Sequence, residues 1–193
     1  SDGTANGGTT TIGAANTFTG VVKVVGGTLQ LDTNGSFDSA SSLYTSGSGA
    51  AQGVMDLNNH NQTFSAINGT GGQIALGSGT LTVNGTANSD YYGSITGTGN
   101  VSKSGLGTVT LYGANTYTGT TSLSAGTLAL SGAGTLGAAA AATAVSGGTL
   151  DLGGTTQIQD GGVTLTGGAI QNGTLRSAGT FDLQSGQMDA VLD

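Results

Sequence analysis

The sequence of 193 residues has no Cys, no Pro and no Trp, and because all 10 acidic residues are Asp it has no Glu either. Glu, Lys and Arg are the common polar helix formers, so a chain with no Glu and three Lys plus Arg is not a helical bundle. Without Cys there is neither a disulfide scaffold nor a thiolate metal site. Positive charge is limited to Lys23, Lys103 and Arg176, with His60 as the single titratable imidazole. With a formal net charge of −7, that scarcity argues against a nucleic-acid partner, which needs clustered Lys and Arg to meet phosphates. Missing Pro and the absence of a three-residue Gly period exclude collagen. Charged residues are only 7%, too few for an expanded, charge-rich disordered chain. No apolar run approaches the roughly 20 residues of a membrane helix. The N-terminal stretch from Ser1 to Thr11 is polar and contains no signal-peptide core. A Cys-free chain is compatible with export to an oxidising compartment. The length suits one domain or part of a larger one.

What the chain does have is Gly, at 39 residues, and Thr, nearly as abundant. They recur in one unit: Gly-Thr, then apolar, any, apolar. Six copies begin at Gly27, Gly79, Gly107, Gly126, Gly148 and Gly179. Alternation at period two is the mark of a strand with one buried face. The Asn-Gly pairs at Asn34, Asn68, Asn84 and Asn172 offer the positive φ that tight turns use. A longer repeat aligns residues 16–31 with 115–130 without gaps, with eight identical positions and Phe18 matched by Tyr117. The shared position implies the same packing role for both rings.

Strand cores of about three to five residues are shorter than sandwich strands usually are. Similar residues recurring from unit to unit favour coils stacked like on like. With no Pro, every backbone N–H can join a ladder. The expected fold is all-β, a right-handed parallel β-helix of roughly eight to ten coils at about 20–25 residues per coil. Residues 1–193 are read as a single β-helix segment. Its interior is expected to hold Val22, Val24, Leu29, Leu31, Leu57, Ile67, Leu76, Leu81, Val83, Val109, Leu111, Leu128, Leu130, Leu150, Leu152, Leu165, Leu175, Phe181 and Leu183, with Thr outside. The run of Ala at 138–142 is too short for a stable helix and reads as a loop or bulge.

Residues that could carry chemistry are sparse. His60 lies in an Asn-rich stretch with no nucleophile elbow anywhere in the chain, and reads as a loop residue. Asp151, Asp160, Asp182 and Asp189 could form a carboxylate pair if stacked in adjacent coils. Asp never follows Gly-Gly at the spacing of a calcium-binding roll, so no metal is expected. The cluster Gly97-Thr98-Gly99 lacks the Lys-Ser/Thr of a phosphate loop. The Thr-x-Thr pairs starting at Thr9, Thr80, Thr108 and Thr164 are too irregularly spaced to form an ice-binding array and read as solvent-facing strand. Tyr91 and Tyr92 are adjacent, so a strand points one in and one out, and the pair is the candidate surface contact. No catalytic residue, metal or cofactor is expected.

Residues 103–119, from Lys103 through Gly107-Thr108-Val109-Thr110-Leu111 to Asn115-Thr116-Tyr117-Thr118-Gly119, resemble the autotransporter-associated β-strand repeat. The resemblance runs on to Ala125-Gly126-Thr127-Leu128 and departs conservatively at Leu106 and Val109. Residues 16–31 match the second half of the motif, 93–99 look like its lead-in, and parts of 170–186 are similar to large bacterial surface passengers. The resemblance implies an internal piece of a Gram-negative autotransporter passenger, displayed outside the outer membrane or secreted. It implies a structural, adhesive, non-enzymatic role in adhesion, autoaggregation or biofilm. Partners would be a host surface, a glycan or other cells, or another copy meeting at the coil ends. Contact with a membrane would come only through other parts of the parent. A self-assembling filament unit and a polysaccharide-active β-helix enzyme are the competing readings.

The interior assignment is testable at one position. Leu128→Asp would put a carboxylate inside a coil and should abolish the cooperative melt followed by circular dichroism. A variant that melts like the parent would reverse the inside-outside assignment.

Overall fold

The computed structural model describes residues 7–193. Short parallel strands form a β-solenoid of about nine turns. At about 4.8 Å per turn the rod is about 43 Å long. The only helical element among the described residues is a single 3₁₀ turn, Gly49–Ala51.

Each turn visits three faces. The first face carries the strands Thr9–Ile12, Gly27–Leu31, Gly53–Asp56, Gln73–Ala75 and Ser94–Thr96, then resumes with Thr156–Ile158, Thr174–Arg176 and Val191–Leu192. The second is a seven-stranded sheet from Gln62–Phe64 to Phe181–Leu183. The third is nine-stranded and continuous from Val21–Val24 to Gln187–Met188. Alternation explains why: each strand turns every second side chain inward. On the third face this stacks Val109 on Leu128, Leu128 on Leu150 and Leu150 on Ile170. Outside, Thr108, Thr127 and Thr149 stack in the same way. Each fully buried Leu is worth about 1.5–3 kcal/mol over an exposed one.

Glycine at the entry to the third face has a positional cause. Gly126, Gly148 and Gly168 hold φ of +68°, +73° and +76° at the bend entering the third face. A Cβ at Gly148 would strike the backbone of Gly126, and one at Gly168 that of Gly148. The coils approach through bare backbone there. Of the four Asn-Gly pairs expected to bend, only Asn172 has positive φ; Asn58 and Asn59 take it instead. Asn68 lies within the strand Ala66–Gly69, where its side-chain oxygen accepts the N–H of Asp90.

Coil length is irregular. Thr156 stacks on Thr174, a short step, whereas Thr28 stacks on Val54, a step longer by about half again. The bends absorb the difference, notably the loop at 46–52. The two copies of the long repeat consequently fall on different faces. In the first, Val21–Val24 is on the third face and Gly27–Leu31 on the first; in the second, Thr121–Leu123 is on the second and Thr127–Leu130 on the third. Phe18 and Tyr117 therefore do not play the same packing role. Tyr117 is fully buried, whereas Phe18, in the first described coil, is 52% exposed.

Most expected interior residues are buried. The departures lie near the ends: Leu29 is half-buried because it stacks on Thr10, Phe181 is half-buried, and Leu183 is exposed because no described strand covers the Phe181–Leu183 edge.

The interior also contains polar groups that an apolar-only lining does not foresee. Between Ser94–Thr96 and Thr156–Ile158 the first face has no regular strand, and side chains share its ladder with backbone bonds such as that from the Thr116 N–H to the Ile95 carbonyl. The Asn115 side-chain oxygen accepts the N–H of Ile95 at 2.9 Å, and its amide donates to the carbonyl of Thr135 at 2.8 Å. The Gln157 side-chain oxygen accepts the N–H of Leu136 at 3.0 Å. Beneath them the Tyr117 hydroxyl and Thr121 Oγ1 lie 2.6 Å apart, and Thr143 donates to Gln159 at 2.7 Å. Lys103 is buried as well, with its Nζ donating to the carbonyls of Gly105 and Ala125; burial lowers its pKa.

The buried polar groups differ in whether they have partners, and this predicts opposite mutational signs. Gln157→Leu orphans a buried N–H and should cost about 1–3 kcal/mol in denaturant melts. Ser89 stands in the apolar column of the third face, and its Oγ is the one buried side-chain polar atom without a partner among the described residues. Ser89→Ala should therefore stabilise by up to about 1 kcal/mol. A loss of stability on Ser89→Ala would show that the hydroxyl is satisfied.

Candidate functional site

The faces present outward what the alternation leaves over. Along the second face the exposed-side column is Thr63, Thr82, Ser102, Ser122, Ala144 and Thr164, small and uncharged throughout, ending at Asp182. The four Thr-x-Thr pairs are divided: Thr9 lies on the first face, Thr80 and Thr164 on the second, and Thr108 on the third.

The third face carries the larger groups. Lys23 Nζ sits 5.3 Å from the Tyr44 ring centroid, a cation–π contact between adjacent coils. Tyr91 and Tyr92 separate as the alternation dictates. Tyr91, named with Tyr92 as a candidate surface contact, is fully buried, because it occupies an inward position of the strand Ser89–Tyr91. Burial pushes its phenol above the ordinary value, against the hydrogen bond from Thr45. Tyr92 is outside, 51% exposed, and stacks on Tyr112 of the next coil with centroids 4.1 Å apart and planes 7° from parallel. The sequence pattern singles out Tyr92 but not Tyr112; their separation by one coil length was the available signal. The neighbouring Tyr92 hydroxyl, then burial, then the charge of Asp90 hold the Tyr112 phenol above its ordinary value.

The four Asp candidates do not converge. Asp151 is on the third face and Asp182 on the second. Asp160 lies at a bend and accepts the N–H of Ala178 at 2.9 Å. Asp189 follows Asp151 on the same face two coils later, with Gln171 between them. Asp182 and Asp189 each accept a Gln amide from a near neighbour in the chain, at 3.0 and 2.6 Å. Asp151 accepts from the Gly153 N–H and the Asn172 amide, both at 2.8 Å, and from Gln171 at 3.2 Å. Partial burial raises its pKa, but these hydrogen bonds outweigh that and leave it below the ordinary value. His60 is half-buried in a turn closed by its own N–H to the Leu57 carbonyl. Among the described residues no three His, Cys, Asp or Glu side chains gather as metal ligands do. The one ion pair found among them, Arg176 with Asp193 at 3.0 Å, is solvent-exposed and contributes little.

Asp151 should make a measurable mark on acid stability. A carboxyl more acidic folded than unfolded supports the fold above the ordinary carboxylate range and loses that support as pH falls through the folded value. Asp151→Asn should therefore flatten the fall in melting temperature below about pH 4. An unchanged slope would mean that the three donors do not favour the ionised form.

Known proteins resemble the chain in sequence. The passenger-associated-transport-repeat family matches residues 5–31 and 101–130, the segments that contain the two long-repeat copies. An autotransporter adhesin of Brucella suis biovar 1 (strain 1330), adhesin BmaC, is 42% identical over 119 residues, 62% of this chain and 3% of the adhesin. No solved structure matches the chain. The chain thus carries two stretches that match a passenger-associated transport repeat, wound into a parallel β-solenoid, and over 119 residues it is similar to an autotransporter adhesin.

Proposed function

We propose that the chain is a non-enzymatic rod within a bacterial adhesin, displayed at the cell surface or secreted, where it extends the molecule and contributes weak contacts to adhesion, autoaggregation or biofilm. Residues 1–193 would act as one segment of a longer passenger. The observation that carries this reading is the outward chemistry: long columns of small hydroxyl side chains, with the four candidate carboxylates dispersed over two faces and a bend. Single hydroxyl contacts are weak, but a rigid rod repeats them at about 4.8 Å intervals. Many copies on one cell then raise avidity through effective concentration. The adhesin name of the similar Brucella protein supports the same role.

The test compares valency. Beads bearing dense arrays of the chain should adhere to cultured epithelial cells or to each other under flow, and beads bearing isolated copies should not. Turnover of a polysaccharide by the purified chain, lost in Asp151→Asn or Asp182→Asn, would overturn the rod in favour of an enzyme.

A further inference from the structure

The bend that leads from the third face to the first contains one feature that the rod role does not use. Where the chain passes from Thr45 to Gly53, residues 46–52 form a longer loop, and it lines one groove together with residues of the coils that follow. Beside it runs a shallow groove of about 310 Å³. Ser48 and Gln52 form its loop side, Gly71 and Gly72 its floor, and Tyr92 and Ser94 its far side.

Tyr92 makes the groove chemically specific. One face of its ring is covered by Tyr112, one coil further on. The opposite face looks back along the rod axis toward the preceding coil, in which Thr70 lies beneath Tyr92 and is followed by Gly71 and Gly72. These two glycines exist for packing, since a Cβ at Gly71 would strike Gly47 and one at Gly72 would strike Gly53 and Thr45. Thr70 is the side chain under Tyr92 in the ladder, and being small it leaves the tyrosine 51% exposed. Coils further along place Tyr112 or Ser131 at the equivalent bend, without a tall loop opposite. The slot thus combines three things a pyranose requires. It has a flat aromatic face for the C–H side of the ring, a floor that lets the ring approach, and hydroxyl and amide groups at its rim.

Charge narrows the class. No Lys or Arg lines the groove, and Asp90 lies beside the tyrosine pair. With the chain's formal charge of −7, a uronate or sialate would be repelled. We infer that the slot between Tyr92 and the 46–52 loop binds a neutral sugar ring of a glycan. This rests on the adhesive reading above and gives it one defined contact; the test separates the two.

The chain has five Tyr and no Trp, so its near-ultraviolet fluorescence comes from Tyr alone. The probes are neutral di- to tetrasaccharides of hexoses and N-acetylhexosamines, with uronate-containing oligosaccharides as the contrast. Saturation-transfer NMR and tyrosine fluorescence are read on the intact 193-residue chain. The expected result is millimolar binding of at least one neutral probe, weakened tenfold or more by Tyr92→Ala and retained within about threefold by Tyr92→Phe, because stacking needs the ring and not the hydroxyl. Gln52→Ala, at the end of the 46–52 loop, should weaken the same probe severalfold with an unaltered circular dichroism spectrum, and Tyr44→Ala should leave it unchanged. Absence of binding by every neutral probe, equal binding of uronates, or binding indifferent to Tyr92→Ala with an unaltered circular dichroism spectrum would overturn the site. Bead adhesion that persists in Tyr92→Ala alongside any of these would leave the adhesive rod standing without it.

Discussion

Everything in this molecule depends on the parallel backbone ladder between one coil and the next. A short strand has too little surface to hold itself in place, and its N–H and C=O groups must find partners once the coil interior is dry. Stacking in register satisfies them and brings identical residue types together, Thr on Thr outside and Leu on Leu inside. Because the ladder constrains only the strands, bends are free to vary, and the short step from Thr156 to Thr174 coexists in one rod with the long step from Thr28 to Val54. The positive-φ glycine column at the entry to the third face belongs to the same constraint, since the coils are too close there for side chains.

The obligation to satisfy backbone groups also explains the polar interior. Where the first face loses regular strands, Asn115 and Gln157 extend side-chain amides to the N–H groups that a neighbouring strand would otherwise meet. An amide side chain presents the same donor and acceptor as a peptide group, so the ladder continues in another form. Tyr117 closes this region from within, its hydroxyl held by Thr121. The signature motif of the second repeat copy therefore supplies a buried polar seam as well as a strand.

On the outside, the fold disperses charge and gathers hydroxyls. Alternation sends Asp151 and Asp182 outward as expected, yet their strands belong to different faces, so sequence similarity of the two units does not bring the carboxylates together. Tyr92 and Tyr112 meet because each directly follows an inward residue, Tyr91 and Leu111, and those two are paired across the ladder. A surface of this kind suits contact by repetition, interrupted by the stacked tyrosine pair and the Lys23–Tyr44 contact.

Period-two alternation, the absent Pro and Glu, and the recurring Gly-Thr unit were enough to determine short strands, tight bends, a stacked all-β architecture and about half of the apolar interior. These are local properties, set by sterics and by which side chain a strand turns inward. The phase of each unit was not legible, because it depends on the summed length of all preceding bends. That sum put the two repeat copies on different faces, left Phe18 exposed while Tyr117 is buried, and divided the Thr pairs among three faces. Burial of Lys103, Asn115 and Gln157 was likewise decided only in three dimensions, since it follows from which backbone groups lack a strand partner in the neighbouring coil.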